Sequence, residues 1–515
     1  MNFNFRSLRS GNYDSLLFAI VGFLIIQGMC QLGGIGFSPD SVVYASTATN
    51  FHDHGQLHDF SGTPVMDFPL GYPILLCGVM FVTGKTVLAF GAVWNGLLFA
   101  ALIWWSGWLM DRFRGGSRVY KWAILACILI SPCLQEIYSM IWSETVYLLL
   151  SLFFFIACHW YFRTHSMPAL VTMAAIAAVA CEVRYAGVSL IALGGLLMLC
   201  DRDLKWGSKK LGHGLLFAAV SVSLLVLNVW RNHHVTGTLT GYREKGLTSF
   251  GENLHDFGSV LCDWLPFFGE QYGAATYIAI LFVGLIGGIF VYRLLRRNDF
   301  FSYDTIALGY FIVYGGFILL TATVSRFQEL DSRLLSPLFL PWLWGSTVWI
   351  PGVLRRSPFR WKLAGGVVTV AALGCFLKGE YKDWRFAWDG SHYAGIPGYT
   401  ESQWQKSETM AYIRAHADSL RAAGPLYSNA TEGIWLLAGG LRAELIAHKD
   451  IPEDIRDMMK DKHFTVIWFA DADNSDLISI DYIRHVKQLA GELTFKDGVI
   501  YSFTTEYLAS CYYSP

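Results

Sequence analysis

The sequence predicts a mainly α-helical, polytopic membrane protein of about eleven spans, followed by a small extracytoplasmic α/β domain. Three observations lead there. The 515 residues are 54% hydrophobic and only 15% charged, with a mean hydropathy of +0.39. A soluble globular protein carries about 25% charged residues. Apolar runs recur along residues 14–377, several close to the roughly 20 residues a helix needs to span hydrocarbon. Beyond them the chain turns polar. A net charge of -1 gives no footprint for a nucleic-acid partner. The 19 Trp suit two interface belts.

Taken in order, Arg6 and Arg9 precede an apolar run from Ser15 to Met29. The run leads into Gly33-Gly34-Ile35-Gly36 without a small-residue cleavage pattern, so it reads as an uncleaved first span. Spans are expected near 14–32, 86–108, 119–135, 145–162, 167–182 and 187–200. Further ones fall near 211–230, 274–293, 304–322, 334–350 and 361–377. Segment 69–84 reads as a helix lying at, or dipping into, the outer surface.

Orientation follows from the Lys and Arg bias of short loops. With the N-terminus in the cytoplasm, the inner turns hold Arg112/Arg114/Arg118/Lys121, Arg163, Arg202/Lys205/Lys209/Lys210, Arg293/Arg296/Arg297 and Arg355/Arg356/Arg360/Lys362. Residues 1–377 then form a membrane module with a long first outer loop, 33–85. Residues 378–515 form the outer domain of a protein expected in the inner (plasma) membrane. That tail has a helical run, Ser402–Leu420, and strand-like runs at Gly424–Ser428, Phe464–Ala470 and Val499–Phe503. It also carries the sequon Asn429-Ala430-Thr431, a weak signal alone.

The ten Cys are scattered. Cys77, Cys127, Cys133, Cys158, Cys181 and Cys200 lie in or beside apolar runs and read as small core residues. Cys262, Cys375 and Cys511 would face the outside, with no pairing deducible.

Residues suited to chemistry collect on the outer side. The first outer loop offers Asp40, Tyr44, Asp53, Asp67 and Tyr72. Asp40 follows Pro39 and also suits a helix start. His52, His54 and His58 read as solvated rather than metal-ligating. Glu144 stands at the mouth of an apolar span, where a carboxylate is costly unless paired or functional. Arg184, between two apolar runs, is placed to pair with Glu182 or Glu144. Arg231, Arg243, Arg326 and Arg333 return to the same face. A guanidinium fork matches phosphate, although Arg333, opening a span, also suits a snorkelling cation.

The ordered motifs resemble a known superfamily. They are Pro39-Asp40-Ser41 with Tyr44, Phe68-Pro69-Leu70-Gly71-Tyr72-Pro73, Trp142-Ser143-Glu144, Arg184-Tyr185-Ala186-Gly187, Arg231-Asn232 with Gly237-Thr238-Leu239-Thr240-Gly241 and Arg243, and Asp331-Ser332-Arg333-Leu334-Leu335-Ser336-Pro337. Their order is similar to that of bacterial GT-C glycosyltransferases, including the lipid A aminoarabinose transferases and protein O-mannosyltransferases. The resemblance implies transfer of a sugar from a polyprenyl-phosphate carrier to a glycan, lipid or protein acceptor on the extracytoplasmic side. It implies Asp40 and Glu144 as the catalytic acidic positions, either of which could hold a divalent metal. It implies Tyr44, Asp67, Tyr72, Arg184, Arg231, Arg243, Arg326 and Arg333 as substrate-binding. Where many members carry adjacent acids, Asp40 is followed by Ser41. Other classes open to the sequence are a lipid or polysaccharide transporter and a non-catalytic envelope assembly protein. A transporter would need charges along a midplane path, and the apolar spans carry few.

Overall fold

In hydrocarbon every backbone N–H and C=O must be satisfied within its own segment, so the apolar runs of this chain become helices. The computed structural model describes residues 13–113, 117–241, 245–265, 272–296, 300–325, 329–470, 472 and 475–504. Arg6, Arg9, Arg114, Arg243, Arg297, Arg326 and Cys511 lie outside the described residues.

Helices α1 to α6 cover Tyr13–Met29, Pro39–His54, Gly71–Thr83, Val87–Met110, Arg118–Ile130 and Pro132–Ser139. Helices α7 to α11 cover Glu144–Thr164, Met167–Val183, Val188–Cys200, Ser208–Thr236 and Phe250–Asp263. Helices α12 to α16 cover Ala275–Leu295, Tyr303–Val324, Ser332–Thr347, Ile350–Arg356 and Phe359–Tyr393.

Each of the eleven expected spans falls on a helix, but the count of eleven is not reached by length. Among the described residues, six helices (α4, α7, α10, α12, α13 and α16) are long and apolar enough to cross a bilayer. The pair α5 and α6, bent by 53°, makes a seventh if taken as one span. The bend has a local cause. Pro132 lacks an N–H and pushes Ser131 to an extended conformation (φ -63, ψ 116), so the expected span 119–135 breaks there. Helices α1, α3 and α8 are apolar but shorter, as is the run Tyr185–Cys200.

The chain divides into two units. One comprises Met1–Gln31 and Val65–His392, the other Leu32–Pro64 and Tyr393–Pro515. This differs from a boundary at 377/378 in two ways. Helix α16 runs unbroken for 35 residues to Tyr393, with no proline to stop it. The first part of the outer loop, with α2, belongs to the tail unit.

Within the tail unit the attachment is specific. The Tyr399 N–H donates to the Phe37 carbonyl at 2.8 Å, and the buried Thr400 hydroxyl donates to the Ile35 carbonyl at 3.0 Å. Helix α2 packs on the helix Thr431–Leu437. Its start is a capping box, the Ser38 side chain accepting from the Ser41 N–H and the Ser41 side chain from the Ser38 N–H.

Among the described residues the tail sheet has five strands: β1 Leu426–Ser428, β2 Glu444–Leu445, β3 Phe464–Phe469, β4 Gln488–Thr494 and β5 Gly498–Thr504. Their order is β2-β1-β3-β5-β4, with β1 parallel to β2 and β3, and β5 antiparallel to β3 and β4. Apolar side chains cover both faces, Met410, Ile413, Ile467 and Ile500 in one cluster and Ile446, Val466, Ile483 and Phe503 in the other. The three strand-like runs of the sequence are β1, β3 and β5. The expected helix Ser402–Leu420 is instead three short helices, Ser402–Gln405, Glu408–Ala415 and Ala417–Ala422, because Ser407 restarts the chain as an N-cap. Asn429 of the sequon is buried. Its amide donates to the carbonyls of Phe469 and Ala472, and its carbonyl accepts from the Phe469 N–H. It bridges the ends of β1 and β3 as a structural residue.

Asp497, in the β4–β5 turn, accepts from the N–H and hydroxyl of Thr409 at 3.2 and 3.0 Å. Burial pushes its carboxyl up, but hydrogen bonds from Ser407 and Thr409 outweigh that and hold it below its ordinary 3.8. A lowered folded-state value means stability that is present above about pH 4 and lost as pH falls through that lowered value. Asp497→Asn is expected to cost about 1 kcal/mol at neutral pH. Protease protection of the tail unit, followed in the full-length protein from pH 6 down to pH 3 at constant ionic strength, should be less acid-sensitive in the variant. Equal sensitivity in the two proteins would show that Asp497 does not anchor this turn.

Candidate active site

Glu144 is the first residue of α7 and is fully buried. A lone carboxylate there would be expensive. Its Oε1 is held by Nη1 of Arg184 at 2.6 Å and by Nε of Arg333 at 2.7 Å. Arg184 caps the C-terminus of α8, and Arg333 lies in the first turn of α14. Three helices therefore converge on one carboxylate oxygen. The Ser143 hydroxyl donates to Glu144 Oε2 at 3.4 Å and accepts from Arg184 Nη1 at 3.1 Å. The Arg333 guanidinium lies 3.9 Å from the Trp142 ring centre, a cation–π contact. The three ionised groups together carry one net positive charge. Glu136 on α6 feels the fields of Arg333, Glu144 and Asp331 and so shares this neighbourhood.

Backbone anchors hold the ends that carry these groups. The turn before α7 is fixed by Asn95, whose amide donates to the Met140 carbonyl at 2.7 Å, and by the Tyr138 hydroxyl donating to the Thr145 carbonyl at 3.1 Å. Asp331 caps α14, accepting from the Leu334 N–H at 2.9 Å. After Arg184 comes a tight 3-10 turn, Tyr185–Gly187. A Cβ at Gly187 would collide with the backbone of Ala180 and Cys181, so this close return requires glycine.

The same turn fixes a second group. The Tyr185 hydroxyl donates to the Met66 carbonyl at 3.2 Å and accepts from Asn228 at 3.3 Å. The Asn232 amide donates to the Leu239 carbonyl at 3.0 Å. Arg231 Nη1 donates to the Val65 carbonyl at 2.5 Å and to Asn232 Oδ1 at 3.0 Å. Asp67 is exposed beside Gly241, where a Cβ would strike its carboxylate. The stretch 65–67 is thus clamped next to the turn that supplies Arg184.

The expected site residues fall into three sets. Glu144, Arg184 and Arg333 meet directly, and Arg184 takes Glu144 rather than Glu182 as its partner. Arg231 and Asp67 belong to the neighbouring clamp, and Arg231 is occupied with the backbone carbonyl of Val65. Tyr72 is buried on α3, whose first residue, Gly71, abuts the Glu182 backbone. Asp40 and Tyr44 lie on α2 of the other unit, Tyr44 buried and Asp40 half-buried. Asp53 pairs with His52 at 2.5 Å. Arg243 and Arg326 lie outside the described residues.

Among the described residues, no three His, Cys, Asp or Glu side chains gather to hold a metal. The donor set at Glu144 also argues against a cation there. Its carboxylate already faces two guanidiniums, and a divalent ion would add repulsion rather than find a ligand. Ser143, Tyr185, Asn95 and Asn232 are the contributors that sequence reasoning did not assign. Three of them, Ser143, Tyr185 and Asn232, adjoin residues that were singled out and share their motifs, whereas Asn95 carries no such sequence signal.

No protein-family profile matches the chain, and no curated protein sequence does. Among solved structures it is similar to ArnT from Cupriavidus metallidurans in the apo state, with a TM-score of 0.52 at 14% identity over 94% of this chain and 97% of that one. ArnT bound to undecaprenyl phosphate gives 0.49 at 13% identity, over 94% and 97%. The arabinofuranosyltransferase AftD from Mycobacteria gives 0.47 at 12% identity, over 96% of this chain and 40% of that one. At such identities the likeness is one of architecture. The chain is a multi-pass membrane protein that shares the fold of ArnT.

Proposed function

We propose that the protein is a glycosyltransferase that moves a sugar from a polyprenyl-phosphate carrier to an acceptor on the extracytoplasmic side of the inner membrane. The observation that carries this reading is the buried carboxylate of Glu144 holding Arg184 and Arg333 at the mouths of three helices. The fold shared with ArnT, itself a protein seen with undecaprenyl phosphate, supports the same class of donor.

In the reaction the acceptor oxygen bonds to the anomeric carbon, and the bond from that carbon to the phosphate oxygen breaks. The phosphate leaves with the electron pair, and the acceptor proton goes to a base. The greatest need is therefore for positive charge held where phosphate charge develops. Arg184 and Arg333 supply it. Glu144 acts by aiming them, since its carboxylate is committed to two guanidiniums. Its place among the catalytic residues is that of a positioning group. The base is Asp40, an assignment that rests on the resemblance in the first outer loop.

Arg333→Lys is expected to weaken donor-lipid binding at least tenfold in a protein that still folds, because lysine keeps the charge but loses the planar fork. Glu144→Gln should weaken donor binding as well, with both arginines released from their aim. Titration of a polyprenyl-phosphate sugar against each purified variant measures this, and wild-type affinity in Arg333→Lys and Arg333→Ala would remove Arg333 from the site. Asp40→Asn is expected to lower turnover about 10²–10⁴-fold with donor affinity kept. A wild-type rate would end its assignment as base. Orientation has its own test, with reporters fused after residues 116 and 504. Activity of the first only in the cytoplasm and of the second only outside is expected, and the reverse pattern would put the arginines on the wrong face.

A further inference from the structure

The end of α7 opposite Glu144 leads to a second site. Helix α7 has 21 residues, roughly 30 Å of helix, and is followed by His165. The His165 ring binds Asp201 at 2.7 Å, in the turn between α9 and α10. A cavity of about 590 Å³ opens there between this turn and the end of α12. That lies within the roughly 300–1,000 Å³ typical of ligand pockets.

Its lining is amphiphilic. Leu199, Leu294 and Leu295 form apolar wall, while Arg202, Lys205 and Trp206 form the polar rim. The turn is internally braced. Buried Lys210 donates to the carbonyls of Leu199 and Asp201 at 3.1 and 2.7 Å, and its ammonium lies 4.5 Å from the Trp206 ring centre. The lining carboxylate, Asp201, is already engaged within the turn. It is shared between His165 and the Asp203 N–H, the latter at 2.9 Å. Asp203 sits on the same turn outside the lining. The lining therefore carries two cations, Arg202 and Lys205, against the one carboxylate of Asp201, beside half-buried Leu294 and exposed Leu199 and Leu295 at the ends of apolar helices.

We propose that this cavity binds an anionic phospholipid, its phosphate between Arg202 and Lys205 and its acyl chains along Leu199, Leu294 and Leu295. Basic turns of this kind belong to the cytoplasmic leaflet, where anionic lipids concentrate near the surface. A zwitterionic lipid would match the apolar wall but not the excess of cation in the lining. A free phosphate would match the cations and leave the wall bare.

Phosphatidylglycerol, phosphatidylcholine and inorganic phosphate titrated separately into the detergent-purified full chain, read by native mass spectrometry, test this. Phosphatidylglycerol should be retained at least tenfold more tightly than phosphatidylcholine, and inorganic phosphate should not compete for its place. Each cation near the surface is worth about fivefold, so Arg202→Gln with Lys205→Gln should weaken phosphatidylglycerol about 30-fold. Lys209→Gln, at the start of α10 and outside the lining, should change it less than twofold. Leu294→Trp keeps every charge and fills the cavity, and it should also expel the lipid. Equal retention of the two lipids would reduce the cavity to an apolar groove and overturn the proposal. So would competition by phosphate alone, an effect of Lys209→Gln as large as the double variant's, or unchanged binding in both the double variant and Leu294→Trp.

Discussion

One carboxylate oxygen governs the geometry of the membrane unit. Glu144 has no exposure to solvent, so its charge must be met by protein, and two guanidiniums from different helices meet it. Breaking such a buried pair typically costs about 3–5 kcal/mol, because the remaining charge is stranded. The cost makes the starts of α7 and α14 and the end of α8 a single mechanical element. It also sets the identity of neighbouring residues: Ser143 to share the hydrogen bonds, Trp142 to face a cation, and Gly187 to let the chain turn back at once after Arg184.

That turn has a double role. Arg184 reaches toward α7, while the next residue, Tyr185, grips the carbonyl of Met66. The stretch 65–67 and the guanidinium pair are thereby referred to the same few backbone atoms. Arg231 and Asn232 complete the grip from α10. A cluster of long side chains needs this kind of support, since it can hold a ligand only as well as its own backbone is held.

The sequence was legible where a physical need leaves a one-dimensional trace. Apolar runs announced helices because a bilayer demands length and hydrophobicity. Glu144 and Arg184 stood out because charge beside apolar sequence needs a reason. Pro132 marks the break in the third expected span, but hydropathy averaged across it and hid the bend. The edge strand β4 went unseen because Gln488–Thr494 buries no face and contains Gly491. The allegiance of residues 32–64 to the tail was also invisible. It depends on hydrogen bonds such as Thr400 to Ile35, between residues 365 positions apart, which leave no local pattern.

That discontinuity bears on how the protein is made. Helix α2 emerges early from the ribosome, but the strands and helices that complete its unit come last. At roughly 5–20 residues per second, the stretch between the two parts takes on the order of 15–65 s to synthesise. Throughout that interval Val42, Tyr44, Ala45 and Ala48, all buried in the finished unit, wait without their final partners. The early loop is therefore the part of a nascent chain most open to proteases and chaperones, and a ribosome stalled before residue 393 leaves the unit incomplete however well the membrane helices have assembled.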